Sequence, residues 1–222
     1  MIIQRIIKRI FDIVLSLLSV IVFSPVLLIA AIGVVVSNGF PIIYKAKRMG
    51  KNMKEITVFK FRTMRVNSDK AGAITGKNDS RVFWWGKILR KAKIDELPQL
   101  FNILIGNMSI VGPRPEDINV VNNYYTNEEK NTLNILPGLA SPGSLFNYTH
   151  GDLFLNDENT DETYINKFLH IKLSLDLYYM SHWSLLYDAK IIFRTMYTIL
   201  MISVFKKQLN YPTEYLILYK DK

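Results

Sequence analysis

Ile13 to Tyr44 carries no charge, and the apolar part of that run, to Val36, is about 24 residues, or roughly 36 Å as a straight helix. Pro25, preceded by Ser24, falls near its middle. A proline there removes a backbone hydrogen bond and crowds the preceding turn, so the pattern predicts two half-helices broken at Ser24-Pro25. Each half, about 12 residues or roughly 18 Å, is too short to cross a bilayer alone. Downstream the period changes. Ile42-Ile43-Tyr44 and Ile56-Thr57-Val58-Phe59-Lys60-Phe61 flank Gly50-Lys51-Asn52 and predict a β-hairpin. Arg81 to Leu104 predicts helix, turn, helix, with Asp95 as N-cap of the second helix and Pro98 in its first turn. A short polar helix follows from about Asn119 to Leu133. Pro137-Gly138 and Pro142-Gly143 mark a loop that continues through the polar stretch Gly151 to Asp161. Tyr164 to about Met180 and Leu185 to Phe205 predict two more helices, and the aromatic tail from Asn210 predicts no element.

The charges around the apolar run decide how it sits. Arg5, Lys8 and Arg9 precede it, and Lys45, Lys47, Arg48, Lys51 and Lys54 follow it. A spanning helix would put one basic cluster on the wrong side of a membrane, whereas a re-entrant helix-break-helix keeps both on the cytoplasmic, anionic face. A proline-kinked spanning helix is the competing reading. A signal peptide fits poorly, because the apolar core is too long and no small-residue cleavage site follows Val36. Asp12, one turn after Lys8 and Arg9, is expected to pair with one of them as a structural pin. The second half of the last long helix, from Thr195, is uncharged but short for a span. With Lys190, Arg194, Lys206 and Lys207 around it, it reads as an interfacial amphipathic helix.

The expected class is thus α+β and mainly helical: an anchor over 1–41, a globular domain with a small β-hairpin over 42–205, and a tail over 206–222. Composition agrees. Of 222 residues, 49% are hydrophobic, high for a soluble chain, while 21% are charged, too many for a polytopic membrane protein. The net charge of +9 calls for an acidic partner: nucleic acid, anionic lipid or a phosphorylated small molecule. The basic residues are interleaved with apolar segments and no nucleic-acid motif occurs, so nucleic acid is the weakest of the three. With no cysteine there is no disulfide, thiolate nucleophile or Cys-based zinc site. His150, His170 and His182 are too scattered for a metal motif. Gly72-Ala-Ile-Thr-Gly76-Lys77, in the polar loop Arg65 to Ser80, is one residue short of a P-loop, and Asn78 replaces the Ser or Thr that would reach magnesium.

The candidate chemistry sits in Lys93 to Pro115. Asp95 and Glu96 follow the cations Lys87, Arg90, Lys91 and Lys93 and precede Gly112-Pro-Arg-Pro115. Adjacent helical residues project about 100° apart, so the two carboxylates cannot share one proton as a facing dyad, but both can reach a common ligand. An ionised carboxylate can attack a phosphate or hold magnesium, provided that Mg²⁺ or Arg and Lys groups offset the repulsion. Lys60, Arg62, Arg90 and Arg114 are the candidate phosphate-binding cations. The prolines on both sides of Arg114 fix its backbone and lower the cost of aiming it. Read alone, Asp-Glu is a helix cap followed by a solvated acid, and a basic scaffold that binds anionic lipid or a partner is the non-catalytic alternative.

Taken together, Lys8-Arg9 with Asp12, Ser24-Pro25, Arg48-Met49-Gly50, Lys60-Phe-Arg-Thr-Met64, Asp95-Glu-Leu-Pro-Gln-Leu100, Met108-Ser-Ile-Val-Gly-Pro-Arg-Pro115, Leu175-Asp-Leu-Tyr-Tyr179 and Asp188-Ala-Lys-Ile-Ile-Phe193 resemble the bacterial sugar transferase family, the small monotopic phosphoglycosyl transferases. The resemblance runs from about residue 5 to 205. It implies a re-entrant anchor in the bacterial inner membrane with the catalytic domain, 42–205, on the cytoplasmic face. It also implies transfer of a sugar phosphate from a nucleotide diphosphosugar, usually a UDP-sugar, to polyprenyl phosphate, in a chain that membrane lipid surrounds and that could form a homodimer. By the same resemblance Asp95 is the nucleophile and a ligand of the Mg²⁺ cofactor, Glu96 supports the metal or proton handling, and Lys60, Arg62, Arg90 and Arg114 hold phosphates. The chain departs from the family pattern in three places. Leu139 to His150 replaces a Thr-Gly and a Gln-Val-Asn-Gly-Arg run, Ala46 stands where a Gln is common, and Asn107 stands where an Asp precedes Met-Ser.

Overall fold

The computed structural model describes residues 2–66, 68, 79–154 and 160–220. The chain opens with α1 (Ile2–Val22) and α2 (Ser24–Asn38), which meet at Phe23 with a bend of 62°. Pro25 lies in the first turn of α2, where its missing N–H costs nothing, and Ser24 Oγ donates to Ile21 O at 2.8 Å. Among the described residues no single helix is long and apolar enough to cross a membrane, but this bent pair together is. The break expected at Ser24-Pro25 is therefore present.

The strands β1 (Ile43–Met49) and β2 (Glu55–Phe61) pair antiparallel, from Ile43 opposite Phe61 to Met49 opposite Glu55. The first strand runs on to Met49, past the expected Ile42–Tyr44 run, and the pairing puts Ala46 and Val58 opposite each other on the buried face. Next come α3 (Trp84–Lys91), α4 (Gln99–Ile105), β3 (Ser109–Val111) and α5 (Ile118–Tyr124). They are followed by a 3-10 turn at Glu129–Asn134, β4 (Gly138–Ala140) and α6 (Pro142–Phe154). The segment α7 (Thr160–Thr163) runs through a π-helical turn at Tyr164–Phe168 into α8 (Leu169–Ser181), and α9 (Leu185–Ser203) and α10 (Thr213–Tyr219) complete the order.

Three expectations need correction. The polar helix drawn over Asn119 to Leu133 is α5 plus a separate 3-10 turn. The loop expected after Pro137 is instead β4, paired in parallel with β3, and then α6, which starts on Pro142. A proline at the first helical position is favourable, so the same Pro-Gly pair that reads as a loop also starts a helix. The tail carries α10, whose buried Glu214 accepts from both terminal nitrogens of Arg194 at 2.6 and 2.9 Å and from Tyr187 Oη at 2.6 Å. The glycine-rich stretch 72–77 and residues 155–159 of the expected polar loop lie outside the described residues.

The first core cluster, built on Ala46, Val58, Leu100, Ile103, Met108, Val111, Tyr179 and Ile191, lies between the hairpin, α4, β3 and the C-terminal helices. A second joins Val121, Phe146, Phe168, Leu169, Leu173 and Leu175, and a third packs Ala30 and Val34 of α2 against Phe61, Phe83 and Leu89. Asn102 ties α4 to the free edge of β2: its Oδ1 accepts from Phe59 N at 2.9 Å and its Nδ2 donates to Thr57 O at 2.7 Å. That bond sets Lys60, the next residue of β2, beside the turn that precedes α4. Gly138 is required by the β3–β4 crossing, because a Cβ there would come within 2.1 Å of Gly112 N.

α1 is fastened by its polar side chains. Lys8 Nζ donates to Asp188 Oδ2 at 2.6 Å and to Val111 O at 3.1 Å, and Arg9 donates to the α4 carbonyls of Ile103 and Leu104 at 2.7 and 3.1 Å. Asp12 does not take the Lys8 or Arg9 pairing expected of it. It accepts from Ser109 Oγ at 2.8 Å and Ile110 N at 3.1 Å, because the start of β3 offers donors that its own helix cannot reach. It remains a pin, with a different partner.

Candidate active site

Helix α3 ends at Lys91, and the chain reverses through Lys93, whose φ of 57° lies in the left-handed region. A 3-10 turn, Ile94–Glu96, then carries both carboxylates. Asp95 is not the N-cap of the next helix: α4 begins at Gln99 behind Pro98 and has no side-chain cap. The 3-10 turn holds Asp95 and Glu96 in the interior instead, where they are 7% and 8% exposed. Burial on this scale requires compensating charge, and the chain supplies it from three directions.

Arg114 makes a two-pronged pair with Glu96, donating from Nη1 to Oε2 at 3.0 Å and from Nη2 to Oε1 at 2.5 Å. Lys60 Nζ stands 3.7 Å from Glu96 Oε1. Burial opposes the charge on Glu96, but Arg114, then Lys60 and Lys93, outweigh it and hold the carboxyl well below the usual carboxylate range. The charge of Glu96 in turn raises Arg114 above its ordinary value. Asp95 moves the other way. Burial and then the negative charge of Glu96 push its carboxyl up, against the pull of Lys60, Lys93 and Arg90. Burial likewise pushes Lys60 down to about 8, despite the raising effect of Glu96. Two adjacent carboxylates are thus divided by environment, one paired with an arginine and the other pushed toward its protonated form by burial and by its neighbour. The buried Oδ1 of Asp95 has no hydrogen-bond partner among the described residues.

Beside the pair, Arg48, Val58, Lys60, Gln99, Arg114, Pro115 and Glu116 line a cavity of about 80 Å³. Gln99 is almost wholly buried, and its Nε2 also lacks a partner among the described residues. The loop that carries Arg114 is held from both ends. Pro113 O accepts from Gly138 N at 2.8 Å, Met49 N donates to Glu116 O at 2.9 Å, and Arg48 Nη1 donates to Asp117 Oδ2 at 2.6 Å. Behind it, Lys172 Nζ pairs with Glu116 Oε1 and donates to Tyr164 Oη at 2.8 Å, while Tyr164 Oη donates to Glu116 Oε1 at 2.8 Å. Together these contacts fix Arg114 more tightly than its two prolines alone.

Of the four expected phosphate-binding cations, Lys60, Arg90 and Arg114 converge on the carboxylates; Arg90 also donates from Nε to Thr63 Oγ1 at 2.8 Å. Arg62 does not converge with them, which corrects the expectation. Its guanidinium donates to Pro41 O at 2.7 Å, Asn38 O at 2.7 Å and Gly39 O at 2.5 Å, so it closes the exit of α2, where terminal carbonyls need donors. Sequence reasoning missed Lys172 and Glu116. Lys172 left a trace: it lies between Leu169 and Leu175 on the apolar face of α8, and a lone cation on such a face calls for a buried partner.

The model of the bacterial sugar transferase family matches residues 3–202. The chain belongs to that family. Three relatives show how it sits among bacterial sugar transferases. It is 34% identical over 197 residues to a UDP-N-acetylgalactosamine-undecaprenyl-phosphate N-acetylgalactosaminephosphotransferase of Aeromonas hydrophila, covering 87% of this chain and 44% of the relative. It is 36% identical over 199 residues to a UDP-glucose:undecaprenyl-phosphate glucose-1-phosphate transferase of Klebsiella pneumoniae, covering 88% and 40%. It is 35% identical over 198 residues to the exopolysaccharide production protein PSS of Rhizobium leguminosarum bv. phaseoli, covering 86% and 94%. The chain therefore spans less than half the length of the first two relatives and nearly all of the third.

Proposed function

We propose that this chain transfers a sugar phosphate from a nucleotide diphosphosugar to polyprenyl phosphate through a covalent intermediate on Asp95. The supporting observation is the buried, unpartnered Oδ1 of Asp95 among Lys60, Lys93 and Arg90, next to a Glu96 already committed to Arg114. Relatives whose names carry UDP-sugars make UDP the expected nucleotide.

In the first step a carboxylate oxygen of Asp95 attacks the sugar-bearing phosphorus. An O–P bond forms, the bond from that phosphorus to the bridging oxygen breaks, and its electron pair leaves with the nucleoside monophosphate. In the second step an oxygen of polyprenyl phosphate attacks the same phosphorus, the Asp95 O–P bond breaks, and the carboxylate is restored. Lys60, Arg90 and Arg114 neutralise phosphoryl oxygens during both displacements, and preorganised charges of this kind supply much of the rate. Glu96 keeps Arg114 aimed.

The residues present fit magnesium. Asp95 offers a hard oxygen without a partner, and among the described residues no cluster of three metal-capable side chains exists, which suits a cation bound by one carboxylate plus substrate phosphates. When bound there, Mg²⁺ would offset the diphosphate charge and favour ionised Asp95.

The anchor reading belongs to the same proposal: α1 and α2 dip into the bacterial inner membrane and return, leaving the catalytic domain on the cytoplasmic face. The 62° bend supports it, as do the exposed Ile10, Leu17, Ile21, Leu28, Ile32 and Val36 on the two helices. Exposed Phe193, Met196 and Leu200 make the second half of α9 an interfacial helix in this arrangement.

Detergent-purified chain with Mg²⁺ and a UDP-sugar, without acceptor, should release one UMP per chain in a burst, and Asp95→Asn should release none while keeping its melting temperature. Near-normal turnover by Asp95→Asn would sink the nucleophile assignment. Release from no donor, with membrane binding intact, would leave a non-catalytic basic scaffold.

A further inference from the structure

The turn that presents Asp95 is strained at Lys93, and part of its support comes from α6. Lys93 takes a left-handed backbone with a side chain in place of glycine, which costs about 1 kcal/mol. Two bonds close the turn around it: Lys93 N donates to Arg90 O at 3.1 Å, and Glu96 N donates to Lys93 O at 3.2 Å. Neither reaches outside the turn. Glu96 of the turn is held by Arg114 and Lys60, and Lys93 itself meets Tyr148 of α6, whose ring lies 4.7 Å from the Lys93 ammonium, measured to its centroid. A cation over an aromatic face at this range is attracted by the ring, more strongly as water is excluded. Tyr148 Oη also donates to Lys91 O at 3.0 Å, and Ser203 Oγ, at the end of α9, donates to the same carbonyl at 2.8 Å. The two hydroxyls lie 3.0 Å apart. The last carbonyls of a helix have no partner within it, so three elements meet on the atom where α3 gives way to the turn.

We propose that Tyr148 is a positioning residue for the Asp95 turn, its ring holding the Lys93 ammonium, so that the left-handed turn persists and Asp95 is presented beside Lys60 and Arg90. The consequence for activity rests on the function proposed above. The contact between ring and turn does not.

Hydrogen exchange in the full chain in detergent reads the turn without any substrate. Tyr148→Leu should speed exchange of the Glu96 and Leu97 amides roughly tenfold, with the β1–β2 ladder amides unchanged as reference. Lys93→Met should do the same, and the double variant should be no faster than either single one. Tyr148→Phe should stay near wild type, because it keeps the ring and leaves the Ser203 bond to Lys91 O. Unchanged exchange at Glu96 in Tyr148→Leu overturns the proposal. So does equal acceleration of the ladder amides, which would mean a general loss of fold, or equal acceleration in Tyr148→Phe, which would remove the role of the ring. With UDP-glucose and UDP-N-acetylgalactosamine, Tyr148→Leu should slow the UMP burst roughly tenfold, about 1.4 kcal/mol of barrier, at unchanged donor KM. A raised KM with an unchanged burst rate would make Tyr148 a substrate contact and overturn positioning. A wild-type chain that releases UMP from neither donor would rule out these two sugars, and the exchange data would still decide the role of Tyr148.

Discussion

Replacing Lys172 by methionine keeps the length of the side chain and removes only its charge and its donors. Lys172 is 1% exposed and its partner Glu116 is held in the loop that carries Arg114, so the variant leaves a carboxylate facing an apolar end. Burial opposes the charge on Glu116, but Lys172, with help from Tyr164 and Arg48, brings its carboxyl down from 4.5 to about 2. Breaking a buried pair by removing one member costs about 3–5 kcal/mol, and the low end, about 3, applies here because Tyr164 still donates to Glu116. For a chain of this size the melting temperature should fall by about 6–12 °C. Glu116 has a lower value folded than unfolded, so its contribution is complete above about pH 4.5 and disappears as pH falls through about 2. The gap between wild type and Lys172→Met should therefore be full at neutral pH and narrow below about 4.5. Thermal unfolding of the detergent-solubilised chain, followed by tryptophan fluorescence at pH 7 and pH 3.5, measures both. Adding Glu116→Gln to Lys172→Met removes the stranded charge and should recover more than half of the loss. A fall of less than 2 °C, or no recovery in the double variant, would refute the reasoning.

Three further outcomes follow from the same geometry. Arg114→Lys keeps the charge but cannot grip both oxygens of Glu96, and UMP release should drop about 100-fold with little change in melting temperature. Asp188→Asn weakens the bonds from Lys8, Tyr179 and Trp183 to one buried carboxylate, and should cost about 2–3 kcal/mol in thermal or denaturant unfolding. Single cysteines introduced at Gln4 and at Lys54 should be labelled by an impermeant reagent from the same side of sealed membranes; labelling from opposite sides would defeat the re-entrant anchor.

The parts of this fold legible in the sequence were those written in local pattern. The β1–β2 alternation, the Pro25 break, the helix-turn-helix around Asp95 and the start of α9 each depend on neighbours close in the chain. The pairing of β3 with β4 was not legible, because two three-residue strands joined in parallel leave no periodic signal and owe their register to Gly112 and Gly138 passing at close range. Charge partners were read least well. Asp12 was matched to the nearest cations in its own helix, yet it bonds to β3, and Arg62 was grouped with the phosphate binders by its position in the motif, yet it serves the carbonyls at the end of α2. Spacing can nominate a charged residue, but the element that folds onto it chooses its partner. At the site, the Asp95-Glu96 pair and Arg114 were legible by residue type. The opposite perturbation of the two acids was not, because it arises from which one Arg114 grips.

The polar face of α1 has a practical consequence. Lys8, Arg9 and Asp12 supply donors and acceptors to α9, α4 and β3, and each of those partners is a group that water would otherwise have to reach. Cutting away residues 1–41 to obtain a detergent-free fragment would strip Asp188 of its ammonium, take the Arg9 donors from the Ile103 and Leu104 carbonyls of α4, and open the side of β3. The bent helix pair is a wall of the domain and cannot be treated as a tether, so crystallographers and engineers should expect the globular part to need α1 in order to stand at all.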